Sequence, residues 1–335
     1  MIADAMVRRL TRRDIIAASV GLLAWRLAAG GNVAAQSATP SPESFPPFPE
    51  LPPLPAATPR EDRPLAVVTT TGILADLVSQ CGGERVEVNS ILPANADPHD
   101  FEPAPEDLIR IAEADLIVVH GLRLDAWAEP LIDSADASAP IVIATDGIET
   151  IASDEEEFSE GDPHVWFDPM RTKQMVANIA SGLIVADGDG EADYQARQTA
   201  YAAHLDALDA AIAERIALIP AERRKIVTNH DSLAYYAARY GLEIVGTIIP
   251  GIDTRTEPSA KEIAELIDTV EREGVRAIFI ENTASARLAE SLAEQAGIEV
   301  IASLYTDNLG EPGSGAETYI GLMQTDTRII VEALR

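Results

Sequence analysis

The sequence predicts an α/β protein of two similar lobes with mostly parallel sheets, joined by one long helix, with a site in the cleft between the lobes. Three observations predict it. β-branched runs alternate with helix-spaced runs in each half of the chain, the pattern of parallel strands joined by crossover helices. Between the halves lies Glu191–Ile219, rich in alanine and leucine at helical spacing and stopped by Pro220. Strand ends in both halves run into loops that carry histidine or aspartate.

The N-terminal segment stands apart from this alternation. Arg8, Arg9, Arg12 and Arg13 precede a short apolar run, Ile15–Trp25, and Val33-Ala34-Ala35 offers small residues for cleavage before Gln36. Residues 1–35 therefore read as a cleaved export signal. Thr11-Arg12-Arg13-Asp14-Ile15-Ile16 is similar to a twin-arginine signal. A membrane span needs about 20 apolar residues, and Arg26 interrupts this run sooner. Residues 36–64 are dense in proline without periodicity, and read as an extended, semi-rigid linker.

Residues 65–190 form the expected first lobe. Leu65–Thr70, Val86–Ile91, Leu116–Val119 and Ile141–Ala144 read as strands. Ile73–Gln80, Pro105–Ala114, Ala126–Ala135 and Met170–Ala186 read as helices. In the second of these, Leu108, Ile109, Ile111 and Ala112 are expected to share the buried face. The linking helix, 191–219, could reach about 40 Å at ~1.5 Å per residue. In the second lobe, 220–335, Lys225–Thr228, Glu243–Ile249, Ala277–Glu281 and Glu299–Leu304 read as strands. Ser232–Tyr240, the helix opened by the capping box Ser259–Glu262, Ala286–Ala296 and Thr318–Leu334 read as helices.

Charge and cysteine content narrow the function. The 335 residues carry 55 acidic and 25 basic side chains, a net charge of −30, which argues against nucleic acid as a partner. The single cysteine, Cys81, allows no disulfide framework and reads as a small buried residue. No cysteine near the signal is placed to carry a lipid. The acidic cluster Asp154–Glu157 reads as a solvated loop tip, with a cation-collecting patch as the alternative.

Two stiff loops share one pattern: Asp97-Pro98-His99-Asp100-Phe101-Glu102-Pro103 and Asp162-Pro163-His164-Val165-Trp166-Phe167-Asp168-Pro169. Their prolines exclude helix interior and central strand. His99, His164, His230 and Asp307 each lie at or beyond the carboxyl end of an expected strand, the edge where open α/β sheets bind ligands. Three neutral imidazoles and a carboxylate complete a four-coordinate shell for a borderline cation such as Zn2+. His120 ends the strand Leu116–Val119 and is expected near the cleft as a hydrogen-bonding neighbour of the site. His204, on the long helix, is expected to be solvated. Glu281 should emerge at the same sheet edge and take the second ring N–H of a ligating imidazole. Its alternatives are capping the following turn or pairing with Arg287.

On these two loops, the His230-Asp231 pair after a strand, and Tyr305-Thr306-Asp307, the chain from Leu65 to Arg335 resembles the metal-binding receptors of bacterial zinc and manganese ABC importers. The resemblance implies two α/β lobes joined by one long rigid helix, and metal ligands at His99, His164, His230 and Asp307. It implies capture of a divalent metal, zinc first and manganese next, in the periplasm or at the cell surface, and delivery to an ABC importer membrane permease. A monomer is expected. Three features depart from the family: an acidic loop where zinc receptors often have a histidine-rich one, no lipid-accepting cysteine, and His120 where members commonly have asparagine. Two other classes remain as alternatives. A zinc hydrolase would use three ligands and a water, with Asp231 or Glu281 as base. A surface interaction or adhesion protein is suggested only by the proline-rich linker.

Overall fold

The structure, a computed structural model of the chain, describes residues 47–282 and 286–335. The expected export signal and the first part of the linker lie outside the described residues. In the first lobe β1 (Leu65–Thr69), α1 (Gly72–Gly82), β2 (Val86–Ser90), α2 (Pro105–Ala112), β3 (Leu116–Val119), α3 (Ala128–Ser134) and β4 (Ile141–Ile143) alternate, and α4 (Pro169–Ala186) follows a long loop. The long helix α5 (Glu191–Ile216) leads into β5 (Lys225–Thr228), α6 (Ala234–Tyr240), β6 (Glu243–Thr247), α7 (Ala260–Glu273), β7 (Ala277–Glu281), α8 (Ala286–Ala296), β8 (Glu299–Leu304) and α9 (Tyr319–Leu334).

Both sheets are parallel and have the same order: β2-β1-β3-β4 and β6-β5-β7-β8. In each, the chain steps to one side of its first strand and then to the other. That reversal opens a crevice at the carboxyl ends of β1 and β3, and of β5 and β7. His120 follows β3, His230 follows β5 and Glu281 ends β7, so all three emerge at these crevices.

Local chemistry sets the element ends. Thr71 caps α1 by accepting from the Leu74 amide at 3.3 Å. Asp168 caps α4 in the same way from Met170, with Pro169 in the first turn. Ser259 and Glu262 form the reciprocal box that starts α7, and Gly274 ends it in the left-handed conformation. The second lobe closes over Val227, Ile278 and Ile280 of the sheet with Leu266, Val270, Ala289 and Leu292 of its helices. The first closes over Val68, Ile91, Ile111 and Ile117.

Several expectations are corrected. The long helix ends at Ile216, not Ile219. The last three residues tighten into i→i+3 turns, Leu218 to Arg215 and Ile219 to Ile216, because a residue before proline avoids helical backbone. In α2 only Ile111 of the expected face is fully buried, and Ile109 is 58% exposed. The helix is two turns long and meets the sheet along a narrow line. The acidic cluster is not a free tip. Glu155 accepts from the Ile252 amide at 2.7 Å and Glu157 pairs with Arg255 at 2.9 Å, so long-range partners hold the loop.

His204 is likewise buried, not solvated. The reason is the linker. Residues 47–60 lie along α5 in the opposite direction. Phe48 sits under the Arg215 guanidinium, Pro52 offers its carbonyl to the His204 ring, Pro55 accepts from Arg197, and the Thr58 amide donates to Asp193. The ten steps from Phe48 to Thr58 span about 31 Å at the ~3.1 Å rise of an extended proline-rich chain. The helix from Asp193 to Arg215 spans about 33 Å. The two rises match, so the contacts stay in register, and this part of the linker is a strap on the fold.

Candidate metal centre

The His99 loop folds into one tight turn over Pro98–Asp100. Asp97 Oδ1 accepts from the His99 amide at 2.8 Å, and Trp127 Nε1 donates to the Pro98 carbonyl at 3.1 Å. In the His164 loop the tight turn follows the histidine, over Val165–Phe167, but the aspartate bond is repeated. Asp162 Oδ1 accepts from the His164 amide at 2.9 Å and from Nδ1 of its ring at 2.7 Å. Trp166 Nε1 then donates to the Thr306 carbonyl at 3.0 Å, which ties this loop to the residue before Asp307. His230 stands two residues past β5, its Nδ1 2.8 Å from both oxygens of Glu281. Asp307 follows β8 on a loop whose Tyr305 amide is held by Asp326 at 3.0 Å.

The four side chains meet. Ligand atoms of His99, His164, His230 and Asp307 all lie within 4.8 Å of one another. Nε2 of His164 is 3.4 Å from Nε2 of His99, 3.2 Å from Nε2 of His230 and 3.3 Å from Oδ1 of Asp307. Oδ2 of Asp307 is 3.7 Å from Nε2 of His230. A tetrahedral shell at a metal–nitrogen distance of ~2.0–2.1 Å has edges of about 3.3–3.4 Å. The Asp307 Oδ1 atom is buried with no protein hydrogen bond. A buried carboxylate oxygen without a donor is costly, and a cation at the centre of this shell would satisfy it.

The surrounding carboxylates decide which imidazole nitrogen is free. Asp162 and Glu281 accept from the Nδ1 atoms of His164 and His230, which leaves both Nε2 lone pairs aimed at the centre. Burial opposes a charge on His164, but Asp162 and Asp307 outweigh it and hold that imidazole up at about 10. His230 is raised as well: burial opposes, and Glu281 with Asp307 prevails. His99 goes the other way, to about 3, chiefly through burial. Burial also opposes ionisation of Asp307, yet the facing histidines hold its carboxyl well below the usual range.

The expected Glu281–His230 contact is present, and Arg287 is exposed. His120 is outside the donor group. Its Nε2 donates to the Pro163 carbonyl at 2.8 Å, and its ring meets Trp166 edge-on at 5.2 Å, so it braces the loop that carries His164. Burial lowers its basicity, consistent with a neutral donor. Sequence reading missed the roles of Asp162, Trp127 and Tyr235. The i, i+2 spacing of Asp162 and His164 was the available signal for the first. Tyr235, whose hydroxyl donates to the Asp162 carbonyl at 2.7 Å, had none. Glu281 is engaged with His230 through both oxygens, so it is not a free base facing the centre.

Parallel lobes about a long helix, with a buried donor set converging between them, define a two-lobed metal receptor. Residues 67–333 match the family described as zinc-uptake complex component A, periplasmic, and the chain belongs to it. A manganese-binding lipoprotein, MntA, of Halalkalibacterium halodurans is 31% identical over 271 residues, covering 81% of this chain and 88% of that protein. The manganese ABC transporter substrate-binding lipoprotein PsaA of Streptococcus pneumoniae is 30% identical, covering 81% and 89%. Among solved structures, the periplasmic zinc-binding protein TroA of Treponema pallidum superposes with a TM-score of 0.76 at 30% identity, covering 81% and 99%. The family is one of transporter substrate-binding proteins, not enzymes, and the hydrolase alternative finds no support in it.

Proposed function

We propose that this chain captures a divalent transition metal outside the cytoplasm and hands it to the membrane permease of an ABC importer. The observation that carries the reading is the convergence of three imidazole Nε2 atoms and one buried carboxylate within 4.8 Å. His99, His164, His230 and Asp307 are the ligands, and Asp162 and Glu281 fix the tautomers of two of them. Four protein donors leave no open position for a reacting water, which suits capture and delivery rather than turnover. The reading of residues 1–35 as an export signal of twin-arginine kind supports this location.

Zinc is the preferred cargo, because the Nε2 spacings fit a tetrahedral shell and imidazole suits zinc. Manganese is the second reading, and a specific observation favours it. The two oxygens of Asp307 face different imidazoles, so the carboxylate could supply a fifth donor. The test is metal analysis of protein purified without added metal, followed by titration with zinc and manganese in competition. Zinc should bind one per chain and displace manganese. Tighter manganese reverses the order of cargo, and a protein that acquires neither metal overturns the reading.

A further inference from the structure

The seams that hold the two lobes together around the centre differ in kind. On the His164 side three buried bonds join uncharged groups, and Arg239 adds an ion pair to Asp168 at 3.3 Å. Trp166 Nε1 donates to the Thr306 carbonyl at 3.0 Å, Tyr235 Oη to the Asp162 carbonyl at 2.7 Å, and Tyr319 Oη to the Trp166 carbonyl at 2.7 Å. On the His99 side Asn308 Nδ2 donates to the Pro93 and Ala96 carbonyls at 2.6 and 3.2 Å, and beside these the acidic loop adds a charged seam more open to water. Half-buried Glu155 accepts through Oε1 from the amide of buried Ile252, and Glu157 pairs with Arg255, the last two side chains each more than 40% exposed. Asp253 grips the same guanidinium at 2.7 Å.

His99 is also the only one of the four donors that is not fully buried. Beside it lies a cavity of about 210 Å³, walled by Phe101, Trp127 and Phe158 and rimmed by Glu157 and Arg255. The loop that presents Ile252 fits its partner closely. Gly251 has φ +93°, and a Cβ there would lie 2.4 Å from Glu155 Oε1. A side chain at 251 would displace the Glu155 carboxylate from this contact. The acidic cluster of the sequence is thus built into a contact between lobes, directly over the one open flank of the centre.

We propose that metal enters and leaves past His99, and that the Glu155–Ile252 and Glu157–Arg255 contacts form the latch that sets the rate of release. This rests on the metal-receptor reading above. Buried bonds on the far side act as the fixed edge, because opening them would strand polar groups away from water. The exposed Glu157–Arg255 pair opens at little cost, since both side chains exchange their partner for solvent, and the half-buried Glu155 contact beside it opens with the same loop. Exposed charges are also screened by salt, so the latch weakens as ionic strength rises.

The test is the rate at which metal-loaded protein gives up cobalt or zinc to excess chelator. Glu155→Ala/Glu157→Ala should release about tenfold faster than the wild type, the size expected for losing one charge-assisted bond and one exposed ion pair. Added salt should speed release from the wild type and leave the variant unaffected. The visible spectrum of the cobalt form should not change, because no ligand is touched. Equal release rates overturn the latch, and so does an altered cobalt spectrum, which would assign these residues to ligand geometry. The latch can also be read without metal. In the metal-free protein the Ile252 amide should exchange with solvent faster in the double variant, and unchanged exchange counts against it. If the wild type binds no metal, the receptor reading fails while this exchange still decides the latch.

Discussion

Asp97-Pro98-His99 and Asp162-Pro163-His164 are the same tripeptide with the same aspartate-to-amide bond, and they behave in opposite ways. In both, the aspartate accepts from the histidine amide, at 2.8 and 2.9 Å. Only Asp162 also takes the ring N–H, at 2.7 Å. His164 is fully buried against Trp166 and lies closest to the other donors, whereas His99 is partly exposed beside a cavity. The result is one imidazole held up at about 10 and one driven down to about 3. A local motif fixes where the ring points. The tertiary partner of its aspartate fixes what the ring does with a proton, and therefore with a metal.

The largest effect should come from removing each ring in turn. We predict that His164→Ala lowers metal affinity by more than about 100-fold, beyond the ~10–100-fold typical of losing a residue that merely supports a ligand. It removes a donor and leaves Asp162 and Asp307 buried without their shared partner. His99→Ala should cost clearly less, since its neighbours keep theirs and water can reach the vacated corner. Calorimetry of both variants decides it. Equal losses would erase the distinction between the two loops.

Protons come next. At pH 7 the raised His164 carries a proton in the metal-free protein and the lowered His99 does not, while His230 is shifted upward as well. Metal must displace the Nε2 protons, so binding should release at least about one per metal, from His164, and fewer than three. Affinity therefore strengthens as pH rises. The metal-free fold responds in the opposite sense. A folded-state value raised to about 10 for His164 gives stability that is complete below the unfolded value of ~6.5 and is lost as pH climbs through the folded one. The melting-temperature gap between loaded and free protein should widen with pH. Calorimetry in buffers of different ionisation enthalpy counts the protons; a count of none would remove the two-loop contrast.

The supporting carboxylates should matter less than the rings, and unequally. Asp162→Asn should weaken binding by about 10–100-fold, because the amide side chain no longer fixes the charge and tautomer of His164. Glu281→Gln should do the same for His230, at about tenfold or more. A cobalt spectrum retained in both variants, with weaker affinity, would mark them as supports and not ligands. Wild-type affinity in Glu281→Gln would return that residue to a purely structural part.

Much of this was legible in the sequence for a physical reason. Strand–helix alternation reports burial, and Pro-bracketed histidines report stiff loops, so the lobes, the long helix and the convergence of His99, His164, His230 and Asp307 follow from local pattern. Glu281 could be placed because it ends an apolar strand at the ligand edge. What escaped depends on contacts distant in sequence. His204 looks exposed on its helix because the strap that covers it begins some 150 residues earlier. Glu155 and Glu157 look solvated because Ile252 and Arg255 lie about 100 residues away. The pairing of Tyr235 with the Asp162 carbonyl has no local trace at all.

The smallest effect should come from the first aspartate of the motif, and it tests the comparison most finely. Asp97 touches the His99 amide and not its ring, and the Trp127–Pro98 bond holds the same turn independently. Asparagine caps a backbone N–H about as well as aspartate. Asp97 is also a poor anion here: burial and the nearby Asp307 raise its carboxyl above the ordinary value. Replacing it with a neutral amide removes a charge that is already disfavoured. We therefore predict that Asp97→Asn changes metal affinity by less than about threefold, where Asp162→Asn costs at least about tenfold. If the two variants lose affinity equally, Asp97 reaches the centre through its charge, and the two loops are alike in function as well as in sequence.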